Sequence, residues 1–309
     1  MRMIWKGVMP ATTTCFDKSL KIDHGFVAEH GRWLVDNGCT GIVTPGSLGE
    51  GATLNLTEKV ELIRTYARAI GDRAPVVAAV SALSTEEAVT FAKQAADAGA
   101  TALMVLPAYV YLGDWRETKQ HVAAIFRATS LSCMLYNNPI AYITDFLPEQ
   151  MAELATEHTN LEAVKESSGD VRRITAIRAL LGNRLAIFCG VDDVIVEAAA
   201  AGAVGWVAGL ANALPRESVD LFNYAAHGEM EKAFALYRWF LPLLRMDVVP
   251  KFVQLIKLVQ QEAGMGNARV RPPRLELVGA ELEEALKITR HALAHRPTEA
   301  REAAYQNRG

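Results

Sequence analysis

Eight times along the chain a short run of β-branched or small apolar residues gives way to a longer stretch with helical periodicity. A strand followed each time by a helix returns to pair in parallel with its neighbours, and a parallel sheet needs both faces covered. The candidate strands are Val8 to Thr13, Gly41 to Thr44, Val76 to Val80, Ala102 to Leu106, Cys133 to Tyr136, Leu161 to Val164, Leu185 to Cys189 and Gly205 to Ala208. No G-x-G-x-x-G follows any of them, so the phosphate-binding signature of a doubly wound open sheet is missing. Eight consecutive units predict a single (β/α)8 barrel, and 309 residues suit one barrel of about 250 residues with additions.

Helix punctuation fits this plan. Thr57 is placed to cap EKVELIRTYARAI, and Ser84 with Glu87 three residues on reads as a capping box. Gly38, Gly71 and Gly99 fall where the first three helices should stop, as glycines that accept positive φ. The barrel strands and most helices are assigned to residues 1–214, and the last barrel helix with a helical extension to 215–295. The broken stretch GMGNARVRPPRLELVG is a loop packed on the body or a subunit contact, and 296–309 is a polar tail.

Composition narrows the ligand rather than the fold. A formal net charge of −3, with charged residues at 22%, gives no basic excess for nucleic acid or an anionic membrane, so a small molecule is expected. No run of about 18 uninterrupted apolar residues occurs, and a cytoplasmic protein is expected. Cys15, Cys39, Cys133 and Cys189 stand singly, without metal-ligand spacing, and read as buried free thiols.

In such a barrel chemistry sits at the C-terminal ends of the strands. The second strand runs into Thr44-Pro45-Gly46-Ser47-Leu48-Gly49-Glu50-Gly51, whose N–H groups and one hydroxyl suit an anion. The fifth ends in Tyr136-Asn137-Asn138-Pro139 and the sixth in Lys165-Glu166-Ser167-Ser168-Gly169-Asp170. Lys165 directly follows the largely apolar run Leu161 to Val164. Burial disfavours an ammonium, and a neutral amine attacks carbonyl or imine carbon. The bland alternative is a lysine salt-bridged at the rim to Glu166. Glu50, Asp192 and Asp193 read as loop-holding groups, and Arg238, Trp239 and Phe240 as packing or subunit contact.

GSLGE at 46–50, YNNP at 136–139 and VKESSGD at 164–170 resemble, in order and spacing, the motifs of the dihydrodipicolinate synthase and N-acetylneuraminate lyase superfamily. The resemblance runs from Gly7 to about Leu275. It implies a Schiff base on Lys165, proton shuttling by Tyr136, and a relay hydroxyl on Ser47 next to N–H groups that receive the substrate carboxylate. It places the tyrosine that crosses a dimer interface in many relatives on Tyr109, with Tyr111 close enough to compete. Substrate contacts are expected from Ser47, Leu48, Gly190 and Val207. The resemblance implies no metal, no organic cofactor and a homo-oligomer, either dimer or tetramer.

Two departures matter. Leu48 replaces a second turn hydroxyl, and Ala141 stands where the synthases carry an arginine for a second carboxylate substrate. YNNPIAY, KESSGDVRRIT, GVDD, GWVAG, ALYRWFLPLL and KFVQLIKL resemble most the Δ1-pyrroline-4-hydroxy-2-carboxylate deaminase branch, which implies formation of 2,5-dioxopentanoate and ammonia in hydroxyproline breakdown. A 2-keto-3-deoxy sugar-acid dehydratase or aldolase, a synthase-like lyase and an inactive ligand-binding barrel are the alternatives.

Overall fold

The structure, a computed structural model, describes residues 3–297; residues 298–309 of the expected polar tail lie outside them. Eight strands alternate with helices: β1 (Gly7–Pro10), β2 (Ile42–Thr44), β3 (Val76–Val80), β4 (Ala102–Val105), β5 (Ser132–Asn137), β6 (Leu161–Glu166), β7 (Ala186–Cys189) and β8 (Gly205–Ala208). All pair in parallel in the order β1-β8-β7-β6-β5-β4-β3-β2. The parallel bridge between Ala11 and Val43 brings β1 back to β2. This is the (β/α)8 barrel expected from the eightfold alternation.

The helices are α1 (His24–Asp36), α2 (Leu56–Ile70), α3 (Thr85–Asp97), α4 (Trp115–Arg127), α5 (Pro139–Tyr142), α6 (Pro148–Glu157), α7 (Arg172–Leu181), α8 (Ile195–Ala200), α9 (Pro215–Ala226), α10 (Met230–Leu244), α11 (Phe252–Glu262) and α12 (Gly279–Ala294). Their caps correct three details of the sequence reading. Asn55, not Thr57, caps α2: its side chain accepts from Glu58 N while Glu58 accepts from Asn55 N, a reciprocal box that starts the helix earlier. Gly38 and Gly99 adopt φ of 94° and 99°, but Gly71 does not take positive φ and ends α2 with φ of −64°. Ser84 caps α3 by accepting from Glu87 N at 3.2 Å, but Glu87 makes no return bond to Ser84 N, so the box expected there is only half formed.

Strict alternation along the strands builds two cores. Met9, Val43, Val77, Ala79, Met104, Met134, Tyr136, Ala163, Phe188 and Val207 point into the barrel. Their neighbours Val8, Ile42, Ala78, Val105, Leu135, Val164, Ile187 and Trp206 point out, under the helices. Met3 and Trp5 join the inner cluster, and Trp5 Nε1 donates to Ser132 Oγ at the start of β5 (2.8 Å). That closes the N-terminal end of the barrel.

The loop before α12 packs on the body. Arg271 reaches Glu58, Thr53 O and Leu20 O, and its N–H donates to Glu50. Glu50 is fully buried with φ of 56° and pairs with buried Lys257 of α11 at 2.8 Å. Lys257 also donates to Thr14 O. One-sided removal of such a pair strands a buried charge, costing about 3–5 kcal/mol, so this contact fixes the turn that carries Ser47. Among the described residues no helix is long and apolar enough to cross a membrane.

Candidate active site

Lys165 lies within β6 rather than after it, and register explains its surroundings. It pairs with Tyr136 on β5 and Phe188 on β7. Residues opposite one another in a parallel ladder face the same way, so Lys165 and Tyr136 both enter the barrel mouth. Lys165 Nζ stands 4.0 Å from the centre of the Tyr136 ring. Both side chains are buried.

Glu166, one residue on, has the opposite parity. Its carboxylate accepts from Ser168 N at 2.6 Å and from Asn137 Nδ2 at 3.0 Å. Burial pushes this carboxyl above its ordinary range, and those hydrogen bonds oppose the shift. Glu166 is therefore committed on the far side of the strand. The rim salt bridge considered for Lys165 is not what the geometry provides.

Tyr142, at the end of α5, is the main residue that the sequence reading left without a role. Asn138 caps this short helix by accepting from Ala141 N, and its Nδ2 donates to the Tyr136 hydroxyl at 3.0 Å. The turn swings Tyr142 back over Tyr136, ring centres 5.7 Å apart and edge to face, with Tyr109 at 5.6 Å on the other side. Ser47 Oγ is hydrogen-bonded to the Tyr142 hydroxyl. Burial, and then the phenols of Tyr136 and Tyr109, push the Tyr142 hydroxyl upward. Spacing offered one signal: Tyr142 follows Asn138 by one helical turn.

Tyr109 packs on Tyr142 of its own chain, whereas Tyr111 is exposed and donates to Glu117. Tyr109 is thus the one brought to the site. Leu48 sends its side chain into the outer core, leaving its backbone N–H as what it can offer an anion. Val207 lines the barrel interior.

Gly190 makes room for the lysine. A Cβ there would stand 2.3 Å from Lys165 Cε and 2.0 Å from Ser167 Oγ. Ser167 Oγ is buried and has no hydrogen-bond partner, an orphaned polar atom beside the amine. The sequence reading did not single it out. Asp192 holds the β8 loop, accepting from Trp206 Nε1, Gly209 N and Leu210 N. Burial raises its pKa to about 6 against those bonds. Among the described residues no group of three or more His, Cys, Asp or Glu is arranged to hold a metal. The four cysteines are buried and free.

The sequence profile of the Dihydrodipicolinate synthetase family matches residues 4–292. The chain belongs to that family. At this level it is a lyase of the dihydrodipicolinate synthase group. It is 32% identical over 286 residues to the 4-hydroxy-tetrahydrodipicolinate synthase of Desulforudis audaxviator, covering 91% of this chain and 94% of that one. It is 28% identical to the synthase of Methanocaldococcus jannaschii, covering 94% and 98%. Among solved family structures, the Acinetobacter baumannii dihydrodipicolinate synthase complexed with pyruvate superposes with a TM-score of 0.87 at 27% identity, covering 93% and 99%. A putative dihydrodipicolinate synthetase from Pseudomonas aeruginosa gives 0.88 at 30%, covering 94% and 100%.

Proposed function

We propose that the chain is a lysine-imine lyase that converts Δ1-pyrroline-4-hydroxy-2-carboxylate to 2,5-dioxopentanoate and ammonia. The observation that carries the imine chemistry is the paired placement of Lys165 and Tyr136 in the barrel mouth, with Nζ 4.0 Å from the ring and Glu166 turned away. The Lys165 amine adds to C2 of the cyclic imine and opens the ring, leaving a lysine ketimine. That imine is an electron sink, so the C3 proton becomes acidic, and Tyr136 moves it. The enamine then expels the C4 hydroxyl. Tautomerisation gives a C5 imine, which one water hydrolyses to the aldehyde with release of ammonia; a second water hydrolyses the lysine ketimine, giving the 2-oxo group and freeing Lys165.

The turn at Ser47 and Leu48 supplies N–H groups for the substrate carboxylate, and Ser167 Oγ beside Lys165 is free to bind a substrate oxygen. Tyr142 joins Ser47 to the tyrosine cluster as a relay member. Exposed Val110, Leu112, Ile140 and Ile143 lie in the chain segments that carry Tyr109 and Tyr142; they support a homo-oligomer packed at this rim.

A second reading, condensation of pyruvate with aspartate semialdehyde, is favoured by the names of the synthase relatives. Against it stands α5, where the exposed residue at the expected arginine position is Ala141. A missing guanidinium removes a bidentate, charge-assisted contact worth about 1.5–3 kcal/mol.

The test is turnover by purified protein of the pyrroline against the pyruvate pair, with ammonia and 2,5-dioxopentanoate measured in the presence of chelator. The pyrroline is expected to react faster. Faster condensation would return the synthase reading. Borohydride with pyruvate is expected to label Lys165, and Lys165→Ala to abolish both label and turnover; a label mapped to another lysine would sink the imine mechanism.

A further inference from the structure

Gly190 and Gly209 hold corresponding places at the tops of β7 and β8. Phe188 and Val207, two residues before each, line the barrel, so a side chain at either glycine would continue that inward parity into the mouth. At Gly190 the space belongs to Lys165 and Ser167. At Gly209 a Cβ would stand 2.2 Å from Asp247 Oδ1 and 2.5 Å from Asp247 Cγ. The eighth strand therefore leaves a seat empty, and a carboxylate from the helical extension fills it. Asp247 arrives on the turn Arg245–Asp247 that follows α10.

The surrounding charges differ sharply in how they are satisfied. Asp192 is saturated by three donors. Asp193 faces Arg245 at 4.0 Å. Asp247 is acted on by burial and by the charges of Asp192, Asp193 and Lys165, with no hydrogen bond among those influences. The residue keeps some exposure, although burial is the largest influence on its carboxyl. Desolvation first, and then the Asp192 charge, raise its pKa well above the carboxylate range, while Lys165 opposes them. An unsatisfied carboxyl costs free energy in the free protein; a ligand group that bonds to it recovers that cost.

We propose that Asp247 is the acid that protonates the hydroxyl leaving from the substrate carbon β to the lysine imine. This rests on the imine reading of Lys165. Once the α-proton has gone, the enamine nitrogen lone pair re-forms the C=N bond and the C2=C3 pair moves to C3=C4. The C4–O pair leaves with oxygen, which takes the Asp247 proton and departs as water. Tyr136 serves the α-carbon from the β5 side, and Asp247 serves the leaving group from the β8 side.

The test compares the pyrroline substrate with its 4-fluoro analogue, because fluoride leaves without a proton. Asp247→Asn is expected to lower ammonia release from the hydroxyl substrate about 10²–10⁴-fold, while fluoride release and borohydride trapping of pyruvate on Lys165 stay within about threefold of wild type. Asp247→Glu should recover part of the loss. Equal slowing of both substrates would make Asp247 a structural group, and no slowing would remove it from the site; either overturns the proposal. If wild type traps pyruvate yet turns over neither pyrroline, the substrate reading has failed instead. The same comparison is then made on dehydration of a 2-keto-3-deoxy sugar acid, where Asp247→Asn must again lose elimination while keeping the trapped imine. Turnover of neither class overturns the proposal as well.

Discussion

The two flanks of Lys165 are built in opposite ways. On the β5 side the strand itself delivers the reactive group: Tyr136 faces Lys165 because the register pairs them directly. On the β7 and β8 side the strands end in glycines, and the space is taken by groups from elsewhere, the Lys165 stem at Gly190 and the Asp247 carboxylate at Gly209. A barrel can furnish its mouth from its own strand ends or vacate them for a more distant element. Here it does both, one on each side of Lys165.

A methyl group at each glycine separates the two roles. Gly190→Ala puts a Cβ into the lysine stem, so imine formation itself should fall; a shift of about 1 Å at a reacting atom costs about 10²-fold or more. Gly209→Ala pushes on Asp247 and leaves Lys165 alone. It should therefore keep borohydride trapping of pyruvate and lose about 10- to 10²-fold in turnover of the hydroxyl substrate, by the same positional argument. Trapping by quantitative mass spectrometry, set against turnover, decides the matter. Equal loss of trapping in both variants would erase the distinction between the flanks.

That asymmetry also explains what could be read in advance. The placement of Lys165 and Tyr136 in the barrel mouth was legible because a residue at the end of a largely apolar strand announces its direction by parity alone, and the motifs around them resemble a known family. The barrel was legible for the same reason, since eight strand-and-helix alternations leave few topologies. Tyr142 and Asp247 were not. Tyr142 depends on how the Asn138 cap turns a four-residue helix, and Asp247 on where a turn after α10 meets Gly209, far earlier in the chain. Thr57 was mistaken for a cap because Asn55, two residues earlier, competes for the same helix start and has its Glu three residues on.

The β8 flank has a further dependence that pH should expose. Asn212 holds the turn after β8, donating to Gly209 O and Ala11 O and accepting from Thr13 N. Its own carbonyl accepts from His30 Nε2 of α1 at 3.0 Å, while His30 Nδ1 is buried without a partner. Burial lowers the His30 pKa to about 4, with the bond to Asn212 opposing. The folded state thus binds fewer protons than the unfolded chain between about pH 4 and 6.5. Stability from neutral His30 is present above the unfolded pKa and is lost as pH falls, by about 3 kcal/mol across that window. Chemical denaturation from pH 7 to 4 measures the slope. His30→Phe, which keeps a ring between Phe26 and Trp33, should flatten it at a neutral-pH cost of about 1 kcal/mol; an unchanged slope would assign the acid sensitivity to other groups.

The smallest expected effect sharpens the β5 flank. Ser47 bonds Tyr142, not Tyr136, so in the proposed mechanism its effect on the proton path runs through Tyr142. Ser47→Ala removes one neutral hydrogen bond, worth about 1 kcal/mol, or roughly five- to tenfold in a rate that depends on it. Tyr142→Phe removes the same bond from the other end, together with the phenol itself. If Tyr142 relays protons, the phenylalanine variant should lose much more turnover than the alanine variant, toward the 10²–10⁴ of a general acid–base group, with little change in KM in either. If Tyr142 only braces the turn, the two variants should match and a Ser47→Thr variant should restore both kcat and KM. A Ser47→Ala loss as large as that of Tyr142→Phe, confined to kcat, would place the serine hydroxyl on the path itself and bring Tyr136 and Tyr142 into a single chain through it.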